Sequence, residues 1–328
     1  MFDKIVRCEK LFTRRVSRNE AKYEGSVRVN ICGVEWKNPV ATAAGVFVCA
    51  ESSKYFDPAA LGAVTTKGVS AEPWAGNPTP RIAETPSGML NAVGLENPGV
   101  DAYIAGELRT LKERGATVVA NAAGHSEDEY VEVCRRLDAT DVDMIELNVS
   151  CPNIREGGMA FGTDARTVER LTKKVRSITD KPLIVKLSPN VTDITECAVA
   201  AERAGADALS LINTMLGMRI DRGTGKPVLA NLTGGLSGPA IRPIAVRMVY
   251  ETARSVSIPI IGMGGIMTGD DALEFLLAGA SAVEVGTAAL IDPSAPVRVS
   301  RELNELLSDP LIAEVLDEAR RKRPKAFC

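Results

Sequence analysis

Five polar side chains stand at equivalent places in this chain, each at the end of a short apolar run: Lys67, Asn121, Asn148, Lys186 and Asn213. The runs are GAVTTKG (62–68), TVVANAAG (117–124), DMIELNVS (143–150), PLIVKLS (182–188) and DALSLINT (207–214). As core residues, such groups would lose hydration at high cost. At the mouth of a site, the ammonium groups meet negative charge and the amides both donate and accept hydrogen bonds. Two more runs, PIIGMGG (259–265) and SAVEVGT (281–287), end in Gly264-Gly265 and Gly286-Thr287, each before helix-like sequence. Bare backbone N–H groups at a helix start receive phosphate well. Lysines, amides and a phosphate cradle describe a flavin mononucleotide (FMN) site, where a lysine near N1/O2 stabilises the reduced ring. A sugar phosphate would use the same cradle, so these residues by themselves define a phosphorylated cofactor or substrate. GMGGIM lacks the third glycine of a dinucleotide fingerprint, and RGTGKP (222–227) lacks the spacing of a P-loop.

The elements that must position these residues alternate. With PVATAAG (39–45), there are eight apolar runs of strand length, mostly continuous, as parallel strands buried on both faces should be. Helical patterns separate them at 101–115, 126–137, 164–178, 192–205 and 269–280. The first stops at Gly115, and the second opens on Ser126 with an acidic first turn. This predicts an α/β fold, a closed (β/α)8 barrel, whose active site sits at the C-terminal strand ends. An open doubly wound sheet is the second choice. VRVNICGVEW (27–36) reads as an N-terminal hairpin turning near Cys32-Gly33 and capping the barrel floor. Long Pro- and Gly-rich insertions at 71–99 and 215–240 are expected to build the mouth. The domain division is an arm at 1–26, a barrel at 27–310, and a C-terminal helix with a basic tail at 311–328.

Composition narrows the partners. A net charge of -3 gives no nucleic-acid footprint, and no run is long and apolar enough to span a membrane. The seven cysteines are scattered with no CxxC pair, so no zinc or iron–sulfur site is encoded and a reduced, cytoplasmic setting is expected. Cys134 and Cys197 fall in helical patterns and read as core. Cys151 differs: it follows Asn148 by three residues, precedes Pro152, and opens a loop containing Gly157, Gly158 and Gly162. A thiol on such a loop can close over a substrate and act as a base.

ELNVSCPNIREGGMAFG (146–162) resembles the active-site loop of class 1 dihydroorotate dehydrogenases. The likeness runs from about residue 27 to 290, through GNPTPRIAETPSGMLNAVGLENPG (76–99), VKLSPN (185–190), LINTMLGMRID (211–221), GGLSGPAIRPIA (234–245) and IPIIGMGGI (258–266). The INT and GGLSGPA segments look most like class 1B, in which the barrel subunit pairs with an electron-transfer subunit holding FAD and a [2Fe–2S] cluster, and NAD is the final acceptor. The resemblance implies oxidation of dihydroorotate to orotate in pyrimidine biosynthesis. Cys151 would remove the C5 proton while the C6 hydride passes to FMN. Lys67, Asn91, Ala92, Val93, Gly94, Leu95, Asn148, Asn153, Asn213 and Thr214 would hold the substrate. FMN would lie against Ala44, Lys67, Gly68, Asn121, Asn148, Lys186, Ile212, Gly238, Gly264, Gly265, Gly286 and Thr287. It further implies a homodimer of this chain within a heterotetramer. AAGVFVC departs from the family's ASGTFG, so Ala44 keeps a backbone contact but offers no hydroxyl. The alternatives are a class 1A-like, fumarate-using homodimer; a dihydropyrimidine dehydrogenase-like reductase, against which Asn153 stands; and a flavinless lyase or isomerase with Lys186 as a Schiff-base lysine.

Overall fold

A computed structural model describes residues 27–149, 155–156 and 159–321. The arm at 1–26, Cys151, Asn153 and the tail beyond 321 lie outside them.

The chain opens with β1 (Val29–Ile31) and β2 (Val34–Trp36), then enters the barrel through β3 (Val40–Thr42) and β4 (Ala63–Thr65). β5 (Ile82–Thr85) and β6 (Gly88–Asn91) form a hairpin in the first insertion. β7 (Val118–Ala122) and β8 (Met144–Asn148) return to the barrel, followed by a two-residue pair, β9 (Arg155–Glu156) and β10 (Met159–Ala160). β11 (Leu183–Lys186) and β12 (Ala208–Leu211) follow, then β13 (Met215–Gly217) and β14 (Gly234–Ser237) in the second insertion. β15 (Ile260–Met263) and β16 (Ala282–Val285) complete the barrel.

All eight expected barrel strands are present and close in the order β11-β12-β15-β16-β3-β4-β7-β8, every neighbour parallel. Every residue of these strands is buried, because helices cover the outer face and side chains fill the inner one. That two-sided burial is why the runs read as continuous rather than alternating. Four of the helices start at a side-chain cap. The Ser126 side chain accepts from the Glu129 N–H, that of Asp164 from Thr167, and that of Asp193 from Thr195. Thr268 and Asp271 form a reciprocal capping box. Each cap contributes about 1 kcal/mol by satisfying orphan N–H groups. The helix expected over 101–115 is continuous but passes through a π turn at Ile104–Leu108 before Gly115 ends it at φ +71°.

The β1–β2 hairpin caps the floor as expected. Ile31 and Trp36, both fully buried, pack with Ala41, Val119, Ile184 and Ile261 from the barrel interior. Burying Ile31 alone contributes about 1.5–3 kcal/mol. At the other end, the two insertions do more than form loops. They pair into a four-stranded antiparallel sheet, β13-β14-β6-β5, with Gly235 opposite Asn91 and Ser237 opposite Met89. Segments about 145 residues apart in sequence thus form one wall beside the strand ends.

Candidate functional site

At the C-terminal ends of the strands, four of the five expected polar residues join in a single line. Asn213 Nδ2 donates to Asn148 Oδ1 at 3.3 Å, and Asn148 Nδ2 donates to Asn121 Oδ1 at 3.4 Å. Asn121 Nδ2 then donates to Glu146 Oε1 at 2.5 Å. Glu146 is completely buried and its other oxygen, Oε2, accepts from Ser210 Oγ at 2.6 Å. The Lys186 ammonium lies 3.4 Å from Glu146 Oε1 and 3.6 Å from Glu284 Oε2. Glu284, also completely buried, accepts from Thr65 Oγ1 at 2.7 Å. Six barrel strands, β4, β7, β8, β11, β12 and β16, therefore converge on one buried charge cluster.

Its electrostatics follow from burial and count. Burial opposes the charge on Lys186, but the two carboxyl groups outweigh it and hold the ammonium above its ordinary pKa. Glu284 is pushed up to about 8, first by burial and then by the negative charge of Glu146, against the pull of Lys186 and Thr65. One ammonium cannot neutralise two buried carboxylates, so burial and the charge of Glu146 both favour the protonated form of Glu284.

The glycines gather at a second corner. Gly238, Gly264 and Gly265 have φ of +97°, +130° and +80°. A Cβ on Gly265 would sit 2.7 Å from the Gly238 carbonyl oxygen, and one on Gly238 would sit 2.8 Å from Gly88 Cα. Thr287 Oγ1 donates to Ser237 Oγ at 2.8 Å, tying the end of β14 to the turn after β16. Ile212 donates its N–H to Met263 O at 3.0 Å, and a Cβ on Gly264 would meet its side chain at 3.4 Å. Gly286 faces Ala43, beside Ala44, at 3.5 Å from a built Cβ. The backbone here is stripped of side chains where a phosphate would approach. With buried amides and a lysine held charged nearby, the donor set fits FMN.

The substrate-side residues meet the same space. The Lys67 side chain runs along the turn at Gly45, where a Cβ would lie 3.7 Å from its Nζ. Gly68 leaves room for Asn121, whose Oδ1 would be 2.5 Å from an added Cβ, and for Leu95 at 3.6 Å. Asn91 pairs with Gly235, on which Thr214 packs. Gly94 and Leu95 turn the chain with φ of +76° and +55°. Asn77 ties that turn down by donating to the carbonyls of Ala92 and Val93, both at 3.0 Å. Ala92 also donates its N–H to Arg81 O, so its backbone holds the wall itself. Cys151 and Asn153 fall outside the described residues.

Glu146, Glu284, Thr65 and Ser210 are not among the residues that the sequence singles out. The signal was present: a lone glutamate inside DMIELNVS and another inside SAVEVGT, each in a run otherwise apolar up to its end.

A parallel barrel with a glycine cradle after its last two strands, beside a buried lysine and amides, defines an enzyme of the phosphate-binding barrel class. The family model for dihydroorotate dehydrogenase matches residues 26–307, and the chain belongs to that family. It is 56% identical over 275 residues (84% of this chain, 91% of the relative) to the dihydroorotate dehydrogenase B (NAD(+)), catalytic subunit, of Alkaliphilus metalliredigens (strain QYMF). It is 53% identical over 293 residues (89% and 98%) to the subunit of that name from Lachnoclostridium phytofermentans. Against that of Geobacter sulfurreducens it is 54% identical over 289 residues (88% and 95%). The resemblance read from NVSCPN and the accompanying segments is borne out. Among the described residues, no helix is long and apolar enough to cross a membrane.

Proposed function

We propose that this chain is the FMN-holding catalytic subunit of a cytoplasmic, NAD-linked dihydroorotate dehydrogenase that oxidises dihydroorotate to orotate for pyrimidine synthesis. The observation that carries the reading is the unbroken line from Asn213 through Asn148 and Asn121 to the Glu146–Lys186 cluster. It presents amides and a fixed positive charge where a flavin ring and a carboxylate-bearing substrate would stack. Bound FMN supplies the hydride acceptor, N5, and an N1 edge that takes up negative charge.

The chain's residues have separate tasks in this reading. Lys67, with Asn148 and Asn213, pairs with the substrate carboxylate and imide edge, and bidentate or charged contacts of this kind fix orientation as well as affinity. Asn91 to Leu95 and Thr214 close the site from the side, and Asn153 reaches it beside the base. Cys151 takes the C5 proton as thiolate, the minor form of an ordinary thiol at neutral pH. Ala44, Lys67, Gly68, Asn121, Asn148, Lys186 and Ile212 line the ring, while Gly238, Gly264, Gly265, Gly286 and Thr287 receive the phosphate. The four-stranded wall excludes water, which strengthens each of these interactions.

The charge state of Lys186 speaks against the lyase alternative. A Schiff-base lysine must be a neutral amine, and two carboxyl groups hold this one protonated. The relatives' name, catalytic subunit, supports a second, electron-transfer subunit, which in this reading holds FAD and a [2Fe–2S] cluster. A homodimer within a heterotetramer belongs to the same reading, and the exposed Leu216, Met218 and Ile220 along the free edge at β13 suit such a contact. The division into an arm, a barrel at 27–310 and a C-terminal segment also stands as part of it.

The test is acceptor use. The chain purified with its co-expressed partner should reduce NAD with dihydroorotate and show iron–sulfur absorbance. Brisk fumarate reduction by the chain alone, with no gain from a partner, would move it to the class 1A type.

A further inference from the structure

The cluster beneath the polar line contains an acid that the reaction does not require. Glu284 lies in the middle of β16, fully buried, with a hydroxyl donor on one oxygen. Among the described residues, its second oxygen, Oε2, meets only the Lys186 ammonium, in an ion pair at 3.6 Å that is longer than an ordinary hydrogen bond. The charged or titratable groups facing Glu284 are Lys186 from β11 and Glu146 from β8, and the polar group is Thr65 from β4. A packed apolar side chain would fill such a place with less cost.

We propose that Glu284 is a positioning residue which, through Lys186, sets how strongly the site stabilises reduced FMN. The inference rests on the flavin reading above. Lys186 carries one positive charge and can be neutralised from below by carboxylates or from above by the reduced flavin edge. Each negative charge below draws the ammonium down and weakens its hold on negative charge above. Glu284 therefore works as a brake that engages only when it ionises. Because burial and Glu146 push its titration up to about 8, the brake is off at neutral pH and on in alkali.

Flavin midpoint potentials of the purified, FMN-loaded protein, measured by dye equilibration from about pH 6 to 10, test this. Wild type, Glu284→Gln and Thr65→Val are compared. Glu284→Gln should match wild type near pH 6. Above about pH 8 it should lie higher, by tenfold or more in the reduction equilibrium, about 30 mV for a two-electron couple. Thr65→Val removes the hydroxyl that favours the ionised acid, so the break in the wild-type curve should move to higher pH. That variant keeps the test alive should Glu284→Gln fold poorly. Curves that run parallel at every pH, a Glu284→Gln potential below wild type, or an unmoved break in Thr65→Val would overturn the proposal. The wild-type protein alone reports on the underlying reading: absence of bound flavin, or flavin that dihydroorotate does not bleach, would overturn the function itself and the inference with it.

Discussion

Gly265→Ala is the sharpest test of the phosphate corner. At φ +80°, any L side chain adopts a left-handed conformation, costing about 1–2 kcal/mol. The added Cβ would also lie 2.7 Å from the Gly238 carbonyl oxygen and 2.9 Å from Arg242 Cβ. Gly238 is itself crowded, since a Cβ built on it would lie 2.8 Å from Gly88 Cα. Overpacking against backbone costs about another 1–3 kcal/mol. The free protein can relieve part of this by shifting the turn, but bound FMN requires the turn back in place. Whatever was relieved is then lost from binding. Recovering even about 2 kcal/mol weakens FMN roughly 30-fold. Gly115→Ala is the control: its φ is +71°, yet nothing lies within 4 Å of the added Cβ. It should cost stability by the conformational amount alone and leave FMN affinity unchanged. The assay is titration of flavin-free protein with FMN by fluorescence quenching, with melting curves in parallel. Equal FMN affinity for Gly265→Ala and Gly115→Ala would refute the assignment of this corner to the phosphate.

Cys151→Ala should keep FMN and lose several orders of magnitude in flavin reduction by dihydroorotate, read by stopped flow. In wild type the rate of that step should climb with pH until the thiol ionises, and a flat profile from about pH 6 to 9 would remove Cys151 from the role of base. Lys186→Met leaves the buried Glu146 without its cation, so stability should fall by about 3–5 kcal/mol, read as a lower melting temperature. Glu284 ionises more readily unfolded than folded, so as pH rises from about 4.5 towards about 8 it progressively destabilises the fold. The melting temperature of Glu284→Gln should gain on wild type across that window, and a constant gap would contradict the raised acidity. Asn121→Asp sets a carboxyl against Glu146 Oε1 and against the space at Gly68, and should weaken FMN binding more at high pH than at low.

How much of this could be read from residues alone depended on the range of the signal. Barrel strands were legible because burial on both faces leaves a continuous apolar run, and the Ser126 cap marked where one helix begins. Strand-end residues were legible because a lysine or asparagine closing an apolar run has few structural uses. The wall over the mouth was not. β6 pairs with β14 through Asn91 and Gly235, a match between distant, glycine-rich segments with no alternating pattern to announce it. Glu146 and Glu284 went unread because a charge inside a strand signals only that a partner exists. Which partner, Lys186, depends on barrel closure bringing β8, β11 and β16 around one axis. The π turn at Ile104–Leu108 has no counterpart in the local sequence that we can identify.

The central claim is that this chain binds FMN and reduces it with dihydroorotate. The direct measurement is the visible spectrum of the purified chain before and after adding dihydroorotate without oxygen. A flavin spectrum that bleaches with one equivalent of dihydroorotate per flavin is the predicted result. A flavin that stays oxidised would contradict the substrate, and a protein that takes up no flavin on reconstitution would contradict the site.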